Sequence, residues 1–477
     1  MDKDLITKRP VDERVRDHKE IYVDLDDDLI EKNAAECMQC GVPFCMSECP
    51  LGNFVPDYND LVKNKQWKKA LEALHARNNF PEFTGRLCPA LCEEACVKSI
   101  SGKGNINRLT ELAIIEKGYK MGWVKPSPPE FKTNFKVAVI GSGPAGLTVA
   151  QQLARVGHQV TVFERDGEIG GLLARGIPDY KLDKKIIERR LDQLKAEGIE
   201  FVTNVNVGID MPIELITSKY DAICLTGGST VPRDLEVSGR ELEGIHFAMD
   251  FLTQQNKINA GENVPEDERI SAEGKNVLII GGGDTGADCI GISVRQGAKE
   301  IYQIELMPKP PEERTHYMPW PYWPQTLKVN SAHEEGGKRD WSIATKCFSG
   351  EDGILKKAHF AKLEWSEPDE TGRRSMQEVC GSDFELDVDL VLFAMGFLHP
   401  ERSELLKSLG VELDERGNVG TDEHQMTNIQ GVFAAGDMHT GQSLICRAIG
   451  DARSMADEVD KYLHNQSPTS VKFSKKQ

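Results

Sequence analysis

Long hydrophobic runs are missing from this 477-residue chain; its apolar stretches are strand-sized, as in Val137-Ala138-Val139-Ile140. A bilayer span takes about 18–20 consecutive apolar residues, so no membrane association is expected. The opening Met1-Asp2-Lys3-Asp4 has no apolar core of the kind a secretory signal carries. Excess positive charge is missing too: 58 Lys and Arg stand against 76 Asp and Glu, a formal charge of −18. Such a chain repels the phosphate backbone that a nucleic-acid binder must neutralise, and no Lys/Arg cluster reverses this locally. Nucleic acid is therefore not an expected partner. Low-complexity sequence is absent apart from a polar tail after His464, and 39% hydrophobic residues suffice for two to four packed domains. The expectation is a cytoplasmic protein whose thiols stay reduced.

Twelve cysteines then need another explanation than disulfides. Five, at 224, 289, 347, 380 and 446, stand singly and read as small buried apolar residues. The other seven form Cys37-x2-Cys40-x4-Cys45-x3-Cys49-Pro50 and Cys88-x3-Cys92-x3-Cys96. Zinc is one reading of C-x2-C, but zinc ribbons usually repeat that pair. Four closely spaced thiols ending in Cys-Pro follow the pattern of two-cluster ferredoxins, so iron–sulfur clusters fit better. Two four-iron clusters on thiolates alone would need one ligand more than these seven.

Residues 1 to about 125 show no strong strand signal. Apolar residues recur at three and four in Asp28–Glu36, Asp57–Arg77 and Asn107–Lys120, which predicts helices. Pro126-Ser127-Pro128-Pro129 marks a linker. Beyond it a strand, Lys136–Ile140, runs into Gly141-Ser142-Gly143-Pro144-Ala145-Gly146 and a helix from Leu147 to Val156; a second strand, Gln159–Phe163, ends at Glu164. The same grammar returns with Val277–Ile280, Gly281-Gly282-Gly283-Asp284-Thr285-Gly286, a helix Ala287–Arg295, and Glu300–Ile304 ending at Glu305. In G-x-G-x-x-G the first glycine makes the tight turn, the second admits a pyrophosphate, and the third lets helix pack on strand. The acid after the second strand can accept from both ribose hydroxyls.

Two dinucleotides in one chain imply electron transfer. Tyr220–Thr226, Asp389–Ala394 and Gly431–Ala434 read as further buried strands, so the second unit is expected to interrupt the first. The expected fold is α/β. It comprises a helical iron–sulfur domain (1–125), an FAD-binding domain in two parts (126–270 and 386–465), an inserted NAD(P)H-binding domain (271–385) and a tail (466–477).

Thr427–Asp437 runs into Gly436-Asp437, an arrangement by which flavoprotein disulfide reductases hold the ribityl chain of FAD. Residues 441–444, with Ser443 and Leu444, then open a helix whose N-terminus can face the flavin pyrimidine. This assigns Gly141, Gly143, Pro144, Ala145, Gly146 and Glu164 to FAD, with Gly171 and Leu172 lining the flavin. Gly281, Gly283, Asp284, Thr285, Gly286 and Glu305 fall to the nicotinamide dinucleotide. A carboxylate at 305 repels a 2′-phosphate and favours NADH; Lys309 and Arg314 are the nearby cations that could hold the phosphate of NADPH. No close cysteine pair occurs beyond 96, so electrons are expected to leave through the N-terminal cysteines. His333, His424 and His439 read as solvated or satisfied and receive no catalytic role.

On these motifs the chain resembles the small (beta) subunit family of bacterial glutamate synthase. The likeness also includes Phe80-Pro81-Glu82-Phe83-Thr84-Gly85-Arg86-Leu87-Cys88-Pro89, Pro319-Trp320-Pro321-Tyr322-Trp323-Pro324 and His333-Glu334-Glu335-Gly336. That family shares its fold with the electron-entry part of dihydropyrimidine dehydrogenase. The resemblance implies that Cys37, Cys40, Cys45 and Cys96 hold one 4Fe-4S cluster and Cys49, Cys88, Cys92 and Glu111 the other. It implies hydride transfer from NADH or NADPH to FAD, then single electrons through two clusters to a glutamate synthase large (alpha) subunit. There, glutamine and 2-oxoglutarate yield L-glutamate. The rival activities are an NAD(P)H:ferredoxin-type, bifurcating electron-transfer subunit with a different partner, and a non-catalytic ligand sensor.

Overall fold

The computed structural model describes residues 8–23, 25–367, 369 and 373–465; the expected tail, 466–477, lies outside them. The N-terminal segment is built from helices. Asp26 accepts from the Asp28 amide at 2.8 Å and caps a helix over Asp27–Ala35, where the capping carboxylate satisfies an otherwise unpaired N–H. The run expected as one helix over Asp57–Arg77 is two, Val55–Lys63 and Trp67–His75. Lys65 adopts a left-handed φ of 59° between them, which no continuing helix tolerates. The Asn107–Lys120 helix spans the expected residues. Ile30, Val62, Trp67, Leu74, Ile114 and Ile115 close a core between these helices, each large apolar side chain contributing about 1.5–3 kcal/mol.

The first α/β unit has strands β1 (Lys136–Ile140), β2 (Gln159–Phe163), β3 (Glu200–Val202) and β4 (Ala222–Leu225), joined much later by β14 (Val432–Ala434). They lie in the order β14-β4-β1-β2-β3, every pair parallel. Four of five residues in β1 and in β2 are buried, as a parallel sheet covered on both faces requires.

The second sheet contains β5 (Ile245–Phe247), β6 (Asn276–Ile280), β7 (Glu300–Glu305), β8 (Lys338–Trp341) and β13 (Leu390–Phe393). Its order is β5-β13-β6-β7-β8, again all parallel. This corrects the expected boundaries at 271 and 386, which would cut β5 and β13 away from the sheet they complete. Leu390, Val391, Leu392 and Phe393 pair directly with Val277, Leu278, Ile279 and Ile280.

Between β8 and β13 the chain makes an antiparallel sheet that the sequence reading missed. It comprises β9 (Ile343–Glu351), β10 (Ile354–Trp365), β11 (Met376–Glu378) and β12 (Phe384–Asp387). Leu355, Ala358 and Phe360 of β10 pack into a core shared with Ile280, Ile304 and Phe393.

The last helix, Ile445–His464, packs along the Pro144–Arg155 helix of the first unit. At Gly450 it meets the cysteine segment: a Cβ there would lie 2.7 Å from the Pro50 carbonyl oxygen. One helix thus touches both the first glycine turn's helix and the cysteines. Among the described residues no helix is long and apolar enough to cross a membrane.

Candidate functional site

The two glycine turns are built alike. Gly141 has φ 104°, and a Cβ on Gly146 would fall 1.9 Å from the Gly141 carbonyl oxygen, so only hydrogen fits where helix meets strand. Gly143, by contrast, faces open space. That is the backbone surface a pyrophosphate would approach, at the N-terminus of a twelve-residue helix that begins with Pro144 and Ala145. Gly281 (φ 125°), Gly283 and Gly286 repeat the pattern, with Gly283 open and Asp284 and Thr285 starting the helix.

Each acid at the end of the second strand is tied to its glycine turn. Glu164 Oε2 accepts from the Ser142 amide (3.0 Å) and hydroxyl (2.6 Å), and its Oε1 accepts from the Asp166 amide (2.9 Å). Glu305 Oε2 accepts from the Gly282 amide at 2.5 Å. Ser142 was not singled out from the sequence, yet its hydroxyl also accepts from the Gly170 amide at 3.0 Å. It thereby holds the Gly170-Gly171 segment against the turn, where a Cβ on Gly171 would come within 3.0 Å of Gly143 Cα. Leu172 follows, exposed, at the start of a short helical turn.

The Gly436-Asp437 segment comes to the same place. A Cβ on Gly436 would lie 2.8 Å from Ala145 Cβ, and the Gly436 amide donates to Asp451 at 2.7 Å. Asp437 Oδ1 accepts from the Ser443 amide and hydroxyl at 3.2 and 3.1 Å. Burial pushes the Asp437 carboxyl up to about 6 despite those two bonds. Leu444 is the cap residue of the Ile445–His464 helix.

Around the second turn, the Asn330 amide donates to His333 Nδ1 (3.0 Å) and the His333 ring meets Gln303 Oε1 through Nε2 (3.1 Å). Gln303 Nε2 donates in turn to the Gly281 carbonyl (2.9 Å). This relay fixes His333 as a neutral positioning group; burial pulls its ring down to about 4. Arg314, one of the two cations that could hold a phosphate, donates to the Met318 and Tyr322 carbonyls and lies near Glu94, so it braces its own loop. Lys309 and Arg339 both lie over the ring of Trp341, at 5.6 and 5.0 Å, and Trp341 is the cross-strand partner of Glu305.

The N-terminal cysteines divide into two groups. Cys45 lies within electrostatic reach of Cys96, Cys37 and Cys40. Cys92 lies in the same way near Cys49, Cys88 and Glu111. The latter four line one cavity together with Asn53, Thr84, Arg108 and Cys446. Glu111 is buried, with Asn53 donating to one carboxylate oxygen (3.1 Å) and Asn78 (3.1 Å) and Thr84 to the other. Burial pushes its carboxyl up to about 7. Burial likewise pushes Cys45 up to about 12 and Cys49 to about 11, so a metal binding there would displace protons. Among the described residues no three of these sulfurs lie within 4.8 Å of one another. A single zinc with bonds of about 2.3 Å would gather them to about 3.8 Å. The donor set of thiolates with one carboxylate fits a cluster.

Cys446 changes the reading of the isolated cysteines. It lines the cavity and lies beside Cys88. Cys224 and Cys289 are buried as expected, whereas Cys347 is half-buried and Cys380 exposed. The Pro-Trp-Pro block reaches the other cysteine group: the Trp320 ring packs at a tilt against Phe44, beside Cys45, with centroids 4.5 Å apart. His424 is exposed and His439 half-buried, and neither adjoins the cysteine cavity.

Comparisons with known proteins agree with this layout. Residues 14–120 match the family described as dihydropyrimidine dehydrogenase domain II, 4Fe-4S cluster. Residues 135–318 and 362–452 match pyridine nucleotide-disulphide oxidoreductase. The chain is 49% identical to the glutamate synthase [NADPH] small chain of Mycobacterium tuberculosis over 98% of its own length and 95% of that protein's. It is 45% identical to glutamate synthase [NADH] of Schizosaccharomyces pombe over 94% of this chain and 22% of that one. The fold is similar to that of Mycobacterium tuberculosis FprA in complex with NADPH, with a TM-score of 0.55 at 18% identity, covering 70% of this chain and 85% of that one.

Proposed function

Since the chain belongs to the glutamate synthase small-chain family, we propose that it delivers electrons from NADPH, through FAD and two 4Fe-4S clusters, to a glutamate synthase large (alpha) subunit in the cytoplasm. It is an oxidoreductase of the electron-transfer kind. Gly141, Gly143, Gly146, Glu164, Gly436 and Asp437 would hold FAD, and Gly281, Gly283, Gly286 and Glu305 the nicotinamide dinucleotide. Cys37, Cys40, Cys45 and Cys96 would hold one cluster, and Cys49, Cys88, Cys92 and Glu111 the other.

One observation carries this reading. Leu444, beside the Asp437–Ser443 hydrogen bonds of the flavin segment, and Cys446, in the cavity of Cys49, Cys88, Cys92 and Glu111, lie on the same helical turn. On this reading, flavin and cluster would be separated by little more than one turn of backbone. Bound by these residues, FAD would supply the conversion from hydride acceptance to single-electron release. For that transfer the protein's part is to stack and orient the two rings, which calls for no acid or base. His333 accordingly serves position, through Gln303 and Gly281.

NADPH replaces the NADH that Glu305 alone suggests. The Mycobacterium tuberculosis relative is named for NADPH, and Lys309 and Arg339 bring two cations to the strand edge beside Glu305. The Glu305 carboxylate is meanwhile engaged by the Gly282 amide.

The test is purification of the chain with iron and FAD, alone and with the large subunit. Alone it should reduce an artificial dye with NADPH; with the large subunit it should support L-glutamate formation from glutamine and 2-oxoglutarate. Failure to reduce the dye with either nicotinamide, or transfer only to a small ferredoxin-like acceptor, would overturn the reading.

A further inference from the structure

We propose that His158, Asp460 and His464 form a binding site for a divalent transition-metal ion of the zinc type, separate from the cysteines. His158 Nε2 lies 2.9 Å from Asp460 Oδ1, and His464 Nδ1 lies 3.1 Å from that same oxygen and 3.0 Å from the Asp460 backbone carbonyl oxygen, so an ion would displace the protons these nitrogens now donate. All three donor atoms fall within 4.8 Å of one another, the sole such group of three among the described residues. Zinc–nitrogen and zinc–oxygen bonds of about 2.0–2.2 Å place tetrahedral neighbours about 3.3–3.5 Å apart. Two of the three separations, now hydrogen-bonded at 2.9 and 3.1 Å, would open by a few tenths of an ångström around an ion, and rotation of the exposed His464 sets the third.

The surroundings preset the site. The His158 side chain is 0% exposed, and its other ring nitrogen, Nδ1, lies 2.7 Å from the Thr133 hydroxyl. Without a metal, Nε2–H donates to Asp460 Oδ1; a bound ion would take that proton's place, and the ring could then donate Nδ1–H to the Thr133 hydroxyl. This is the outer-shell arrangement that orients metal-bound histidines. Phe135 packs edge-on against both imidazoles, at 5.9 and 6.4 Å, and limits their rotation. Asp460 and His464, four residues apart, share one face of the helix, and His464 leaves the open side for a water to complete four-coordination. Two imidazoles and one carboxylate suit zinc over magnesium or calcium, which prefer all-oxygen sets.

The site lies at the far end of the helix that begins with Leu444 and Cys446. An ion there would fasten the last turn of that helix to the turn preceding β2. It would steady the element that joins the flavin segment to the cysteine cavity.

The test uses the full chain loaded with iron and FAD, titrated with zinc by calorimetry, alongside His464→Ala and Asp460→Asn. His464 is exposed, so its removal leaves the fold intact. The wild type should bind about one zinc beyond its iron and melt at higher temperature when bound; both variants should bind at least roughly tenfold more weakly, with unchanged iron content. Magnesium should not substitute. Equal zinc affinity in wild type and both variants, or no zinc binding by the wild type, would overturn the proposal.

Discussion

Arg190 grips Glu82 at two points, Nε to Oε1 at 2.6 Å and Nη2 to Oε2 at 2.8 Å, with both side chains almost wholly buried. The pair joins the Pro81–Leu87 helix of the cysteine domain to the Lys184–Ala196 helix of the first dinucleotide unit. Phe80 and Tyr119 flank the guanidinium at 5.5 and 5.4 Å. Breaking one half of such a pair leaves an uncompensated buried charge. Glu82→Gln is therefore expected to cost about 3–5 kcal/mol, whereas replacing both partners with apolar residues should cost less. Equilibrium denaturation of the two variants checks this; equal losses would show that the charge pairing is not what matters.

The Glu111 assignment makes a compositional prediction. Glu111→Ala removes one donor from the group it shares with Cys49, Cys88 and Cys92 and should release up to about half of the bound iron. Glu111→Cys should retain it, since a thiolate can take the same place. Full iron in the Ala variant would show that another group, with Cys446 the nearest candidate, completes the set.

Much of this was legible beforehand because it is local. Both glycine turns with their acids, and the Asn107–Lys120 helix, are contiguous patterns whose physics acts within about thirty residues. What escaped was non-local. Cys446 reads as an isolated apolar residue until the Ile445–His464 helix packs against the Cys49–Pro50 segment. Ser142 is an unremarked residue between two glycines until Glu164 and Gly170 arrive at its hydroxyl. The domain limits failed for the same reason: the three-residue strand Ile245–Phe247 carries no period of its own and is defined by its pairing with Leu390–Phe393. The antiparallel sheet was missed because the buried residues of β10 break the two-residue alternation at its register shifts, amid lysines and a histidine.

If Glu305 binds the nicotinamide dinucleotide as proposed, it and the cations near it would set opposing preferences. Glu305→Ala should raise the ratio of kcat/KM for NADPH over NADH by about tenfold, as the carboxylate that disfavours a 2′-phosphate is removed. Arg339→Ala should shift the ratio the other way. Steady-state dye reduction with each nucleotide measures both; no change in either variant would place the choice elsewhere.

Cys446 should tune the adjoining cluster. With Cys88 ligating as a thiolate, the Cys446 thiol beside it can donate a hydrogen bond to the ligand sulfur. That bond favours the more negative, reduced cluster. Cys446→Val should lower the midpoint potential, by about 59 mV if the one-electron equilibrium moves tenfold, and Cys446→Ser should restore part of it. A redox titration followed by electron paramagnetic resonance reads the shift. Unchanged potential with normal iron would make Cys446 a packing residue only.

Stability should fall in mild acid, and His75 gives the sign. Burial holds its ring down to about 3, from an ordinary 6.5, and Arg190 and Arg155 add to the effect; its Nε2 has no hydrogen-bond partner. Above pH 6.5 the ring is neutral in both folded and unfolded chains and contributes no pH dependence. Between 6.5 and about 3 the unfolded chain takes up a proton that the folded one refuses. Each such proton costs about 1.4 kcal/mol of stability per pH unit lowered. His333, held at about 4, adds the same slope down to that pH. His75→Leu removes one titrating group without opening a cavity, so its denaturation free energy should fall less steeply than the wild type's between pH 6.5 and 5. Parallel curves for the two proteins would mean that His75 takes up its proton equally in both states.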